Sequence, residues 1–148
     1  MLNETIVTLQ GHVGSEVTLR RAGETPVLNV RVACTPRRFN RRSGEWSDGD
    51  TQWYTVTCWR TLAEHCAQSL RSGDPVVVHG RLVARTFVTK SGVEQTVHDV
   101  EAVLVGHDLT RGTSRFERTQ RASPAPAVTD APTPTDVASP PDGVEVAA

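Results

Sequence analysis

The sequence predicts an all-β fold, five strands closed into a small barrel with one short helix between the third and fourth strands. Three observations predict it. Segments alternating apolar and polar residues recur from Ile6 to Val105. Turn signals built on Gly, Ser and Asp separate them. A single stretch carries a helical repeat: Leu62, Cys66 and Leu70 stand four apart, and Ser72-Gly73 with Pro75 beyond supplies the stop.

The elements follow in order. Residues 6–13 are β-branched and end at Gly14-Ser15, and 16–21 resume the pattern. Residues 27–35 alternate cleanly, with Leu28, Val30, Val32 and Cys34 on one side and Asn29, Arg31, Ala33 and Thr35 on the other. The polar stretch PRRFNRRSGEWSDGDTQ, with turn signals at Ser43-Gly44 and Asp48-Gly49, reads as a long exposed hairpin or loop. Residues 53–59 form the next strand, and the helix follows from Thr61. Residues 75–87 make a long strand with Gly80 as a bend or bulge. The chain then turns back through Lys90-Ser91-Gly92 into a last strand, 96–105. This order is that of the OB fold, a five-stranded Greek-key barrel, although other small barrels share it.

Composition divides the 148 residues unevenly. Residues 1–109 hold 12 basic and 12 acidic side chains and read as one folded domain. Residues 110–121 form a basic linker, with Arg111, Arg115, Arg118 and Arg121 against Glu117 alone. Residues 122–148 are rich in Pro, Ala and Thr and hold neither an aromatic nor a basic residue. That composition predicts a disordered tail, because it cannot bury enough apolar surface to offset the entropy of ordering. The net charge of −1 therefore excludes nothing, since local patches decide whether an anion binds. Of the 16 basic residues 15 are Arg, which forks onto phosphates and stacks on bases better than Lys. Cys34, Cys58 and Cys66 contain no CxxC pair and stand among apolar residues. A reduced cytosol is favoured, with one bridge left open. Neither a signal peptide nor an apolar run of membrane-spanning length is present, so a cytoplasmic protein is expected.

The functional signal lies on the strands. Trp53, Thr55, Thr57 and Trp59 share one face of their strand; Tyr54, Val56 and Cys58 share the other. Either face could be the core. Val56 and Cys58 make the better core face, and indole rings suit stacking on bases. Arg31 would lie on the matching face of the preceding strand. In the polar stretch Arg37, Arg38, Arg41 and Arg42 flank Phe39, with Trp46 close by, and Arg81, Arg85 and Phe87 share one face of the long strand. Rings for bases and guanidinium groups for phosphates are what a sequence-tolerant binder of single strands needs.

The stretch TQWYTVTCWRTLAEHCAQSLRSGDPVVVHGRL closely resembles the middle of the bacterial single-stranded DNA-binding proteins. The resemblance runs from Ile6-Val7-x-Leu-x-Gly11 through RTFVTKSGVEQTVHDVEAV to about Leu109. It implies a homotetramer around which single-stranded DNA wraps, in replication, recombination, repair or the stress response. Trp53, Trp59 and Phe87 match base-stacking aromatics of the family. Phe39 is near a fourth, with Arg38 as the alternative, because the loop differs in length by about one residue. Tyr54 takes the place of a family residue at the subunit interface. The resemblance brings no catalytic residue, metal or other cofactor. Common housekeeping members end in a glycine-rich linker and an acidic tip finishing in Pro-Phe. This sequence ends DGVEVAA, so tip-mediated docking of replication and repair proteins is doubtful, and the chain looks more like a paralogue from a high-G+C bacterium.

Two other readings compete. A nuclease would need clustered carboxylates for a metal, and Glu45, Asp48 and Asp50 lie close together, but in a segment of turn residues. His65 and Cys66 with Cys58 or Cys34 lack zinc-ligand spacing, and His12, His79, His98 and His107 are isolated. An RNA-binding or protein-binding OB-fold module is the second alternative, since stacking platforms tolerate RNA.

Overall fold

In the computed structural model, residues 2–120 are described. The chain divides into a compact unit, Met1–Arg115, and a second that begins at Phe116. The tail expected over 122–148 lies outside the described residues. All the elements below belong to the first unit.

Strand β1 (Ile6–Val13) is followed by the short β2 (Leu19–Ala22) and by β3 (Thr25–Cys34). A hairpin of β4 (Arg37–Asn40) and β5 (Glu45–Asp48) comes next, then β6 (Gln52–Trp59) and helix α1 (Arg60–Ser69). Two long strands, β7 (Pro75–Val88) and β8 (Glu94–His107), complete the unit. The main sheet runs β1-β7-β8-β6-β3-β2, and a further β1–β3 pairing closes it into a barrel of five strands extended by β2. All pairings are antiparallel except β6 with β8. This is the OB fold, with α1 between the third and fourth barrel strands as expected.

Two glycines allow the closure. Strand β1 leaves β7 to meet β3 at His12–Ala33 and Val13–Val32. At Gly11 a Cβ would stand 2.4 Å from the Ala33 carbonyl oxygen, so only hydrogen fits. At Gly80, where β7 slips register against β8, a Cβ would meet the Glu101 carbonyl oxygen at 2.2 Å. The expected bulge is there, and Gly80 permits the backbones to close.

The core is built from one face of each strand. Leu28, Val30 and Val32 of β3 pack with Val56 and Cys58 of β6, Val76 and Val78 of β7 and Val100 of β8. Helix α1 plugs the barrel with Ala63, Cys66 and, just beyond its end, Leu70. All three cysteines are free; Cys58 and Cys66 lie side by side with a thiol hydrogen bond between them, and Cys58 is pushed well above the usual thiol range by that bond and by burial.

The end of β8 is fastened by Asp108. Its carboxylate accepts hydrogen bonds from the Thr110 hydroxyl (2.6 Å), the Thr110 amide (3.0 Å) and the Gln10 side-chain amide of β1 (2.6 Å). Those bonds, the Thr110 hydroxyl foremost, hold its pKa down to about 2. The first part of the basic segment stays close to the barrel: Ser114 Oγ lies 2.7 Å from His107 Nδ1, and His107 Nε2 lies 3.1 Å from Asp74.

Candidate nucleic-acid interface

The pleat of β6 separates its two kinds of side chain. Val56 and Cys58 are fully buried, whereas Trp53 and Trp59 are 50% and 43% exposed. The face left open by the period of two is the outer one. Tyr54 is half-buried beside the core, its hydroxyl donating to Gln52 Oε1 at 2.9 Å.

Pairing then assembles the rest of this face. Ala33, Arg31 and Asn29 of β3 stand opposite Trp53, Thr55 and Thr57, so Arg31 emerges beside the Trp53 ring. Its guanidinium carbon lies 5.5 Å from the ring centroid, a cation–π distance, and one nitrogen reaches Thr55 Oγ1 at 3.4 Å. The Trp53 ring leans over Gly14, where a Cβ would come within 2.4 Å of it. Asn29 accepts a hydrogen bond from Thr57 at 2.9 Å.

On the other side of β6, Asp99 and Glu101 of β8 align with Thr55 and Thr57. Across β8, Arg81, Val83, Arg85 and Phe87 of β7 stand opposite Glu101, Asp99, Val97 and Gln95. Phe87 is 43% exposed. The result is an open groove of about 620 Å³ whose walls include Arg31, Trp53, Arg85, Phe87, Val97 and Asp99. It runs between two aromatic rings, with guanidinium groups on both sides.

The arginines of this face differ in their freedom. Arg81 is held by Glu4 at 2.7 Å and by Glu101, two carboxylates that push its pKa further up. Arg85 pairs with Asp99 at 3.0 Å, yet remains largely exposed. Glu4, Asp99 and Glu101 were not singled out from the sequence. The alternation of Asp99 and Glu101 along their strand was the available signal, but the arginines that pair with Asp99, Glu101 and Glu4 stand 14, 20 and 77 positions away in the chain.

The hairpin β4–β5 forms a sheet of its own, and all eight strand residues are exposed. Its neck is tied by Thr35 Oγ1 to Thr51 Oγ1 (2.7 Å) and by the Gly49 amide donating to the Pro36 carbonyl (2.8 Å). Its two faces are unlike. Arg37 and Phe39 stand opposite Asp48 and Trp46, while Arg38 and Asn40 stand opposite Ser47 and Glu45. Arg41 and Arg42 lie at the turn, where the Gly44 amide donates to the Asn40 carbonyl at 2.8 Å. Phe39 and Trp46 approach to 5.2 Å between ring centroids.

Glu45 and Asp48 fall on opposite faces of β5, and Asp48 is engaged by Arg37 at 3.1 Å. Among the described residues no group of three or more His, Cys, Asp or Glu could hold a metal ion. No helix among them is long and apolar enough to cross a membrane.

Residues 4–107 match the model of the single-strand binding protein family. The chain belongs to that family. It is a family of DNA-binding proteins and not of enzymes. Relatives include "Single-stranded DNA-binding protein 1" of Streptomyces coelicolor, 42% identical over 81% of this chain and 76% of its own length. "Single-stranded DNA-binding protein 2" of Streptomyces avermitilis is 44% identical over 79% of this chain and 73% of its own. A crystal structure of a small single-stranded DNA-binding protein from Streptomyces coelicolor superposes with a TM-score of 0.69 at 40% identity, covering 75% of this chain and all of the other.

Proposed function

We propose that this family member binds single-stranded DNA without reading sequence, stacking bases on Trp53, Trp59 and Phe87 of the barrel and on Phe39 of the hairpin. Arg31, Arg37, Arg38, Arg41, Arg42 and Arg85 meet the phosphates. Arg81 meets them as well, from a guanidinium already held between Glu4 and Glu101. The observation that carries the reading is the separation on β6: Val56 and Cys58 are sealed in the core while both indoles face outward, Trp53 of them beside Arg31. Exposed rings cost hydration free energy unless a partner covers them, and a nucleobase has a flat face to offer. Duplex DNA keeps its base faces stacked inside the helix, so the groove discriminates by access and not by hydrogen-bond code.

The chain acts, in this reading, as a homotetramer around which the strand wraps, with Tyr54 at a subunit contact. Ile6, Val103 and Leu104 supply exposed apolar side chains on β1 and β8, the kind of surface that oligomers cover. The work would lie in replication, recombination, repair or the stress response, in the cytoplasm with the nucleoid. A role as the second of two paralogues is supported by Streptomyces coelicolor, which has relatives numbered 1 and 2 at 42% and 37% identity.

Competition decides the ligand. A labelled thymidine oligonucleotide is expected to be displaced by unlabelled oligo-dT, poorly by oligo-U and hardly by duplex DNA. Equal displacement by oligo-U would make this an RNA-tolerant module instead, and absence of binding to any strand would favour a protein-binding one.

A further inference from the structure

The hairpin carries a large ring that the reading above does not use. Trp46 is 60% exposed, more than either barrel tryptophan. It stands directly across from Phe39, with the ring planes inclined at 51°, so the pair touches without closing face to face. On the same face the Arg37 guanidinium carbon lies 5.7 Å from the Trp46 centroid, and Asp48 anchors that guanidinium at 3.1 Å.

A cross-strand aromatic pair can simply staple a hairpin. Two features go beyond that need. β4–β5 is a sheet separate from the barrel with every strand residue exposed, so no core exists for an indole to fill. The aromatic face is also bordered by cations, Arg37 on the strand and Arg41 and Arg42 at the turn, the arrangement in which a flat ring receives a base while its phosphate is met nearby.

We propose that Trp46 is a base-stacking position in its own right, forming with Phe39 and Arg37 a second subsite for unpaired nucleotides on the hairpin, apart from the Trp53–Phe87 groove. The proposal rests on single-strand binding by the barrel, and its test separates the two. The full chain is prepared with 5-fluorotryptophan, and its three ¹⁹F resonances are assigned with Trp46→Phe, Trp53→Phe and Trp59→Phe. It is then titrated with a thymidine oligonucleotide and with an abasic strand of equal length, compared at equal occupancy.

The expected result is a shift of the Trp46 resonance with the thymidine strand and little change with the abasic one. Trp46→Leu should weaken oligo-dT binding about fivefold or more, the low end of what one stacked base is worth, and Trp46→Phe should recover most of it. A Trp46 resonance that stays still while Trp53 and Trp59 move, or that moves equally with the abasic strand, overturns the subsite and leaves barrel binding intact. If no tryptophan responds to the thymidine strand, single-strand binding itself fails and the subsite goes with it.

Discussion

Trp53 owes its position to its own strand and two neighbours: the pleat of β6 turns it outward, Gly14 leaves room beneath its ring, and Arg31 approaches it from the adjacent strand. Removing the ring should therefore weaken binding without unfolding the barrel. Trp53→Ala and Trp59→Ala are each expected to cost about 1–3 kcal/mol of oligo-dT affinity, the general range per stacked base for single-strand binders, this family included. Circular dichroism of both variants should match the parent. Asp99 calls for the opposite result. Its carboxylate stands in the groove and occupies Arg85, so Asp99→Asn frees one guanidinium and removes one negative charge from the DNA path. We expect tighter oligo-dT binding at low salt and a salt dependence steeper by about 0.7 in log–log slope, one more phosphate contact. Weaker binding by Asp99→Asn would mean that the carboxylate orients Arg85 toward phosphate. The tryptophans were legible in the sequence because a period of two decides which face they share. That their face is the outer one became certain only with Val56 and Cys58 sealed in the core. The pairing of Arg81 with Glu4 was not legible, because those residues are 77 positions apart and meet only through the β1–β7 alignment.

At the scale of elements, sequence patterning located every barrel strand and the helix to within a few residues, since each carries its own alternation or repeat. The hairpin was legible as exposed and turn-rich, but not its register, which depends on Gly44 adopting φ of 70° at the turn and sets Phe39 against Trp46. The closure of β1 on β3 and the parallel pairing of β6 with β8 follow from packing between distant segments, which no local period encodes. Asp108 joins two such elements, and its lowered pKa gives a pH signature. A carboxyl held below its unfolded value of about 4 contributes stability that is fully present above that pH and is lost as the pH falls toward about 2. The stability difference between the parent and Asp108→Asn, from urea unfolding, is expected to shrink across that window. A difference unchanged from pH 5 to pH 2 would remove the Asp108 carboxylate as a tie between β1 and the segment after β8.

For the whole molecule the charge distribution matters more than the charge. Residues 1–109 are balanced, yet the arginines of the groove and hairpin gather where the rings are. Glu4, Asp99 and Glu101 offset Arg81 and Arg85, and Asp48 offsets Arg37, while Arg31, Arg38, Arg41 and Arg42 have no carboxylate within salt-bridge distance among the described residues. Binding should therefore be electrostatic in part despite the overall charge of −1. Assembly has its own expectation. Sedimentation equilibrium of the full chain should give about four times the chain mass, and Tyr54→Ala should shift the population toward smaller species while keeping the barrel's circular dichroism. A monomer at micromolar concentration would set the wrapping model aside. The most direct measurement is tryptophan fluorescence during titration with oligo-dT at several salt concentrations. Strong quenching is expected, with affinity falling linearly in log–log form as salt rises. Unquenched fluorescence on saturation with oligo-dT would contradict the claim that the outward indoles take up unpaired bases.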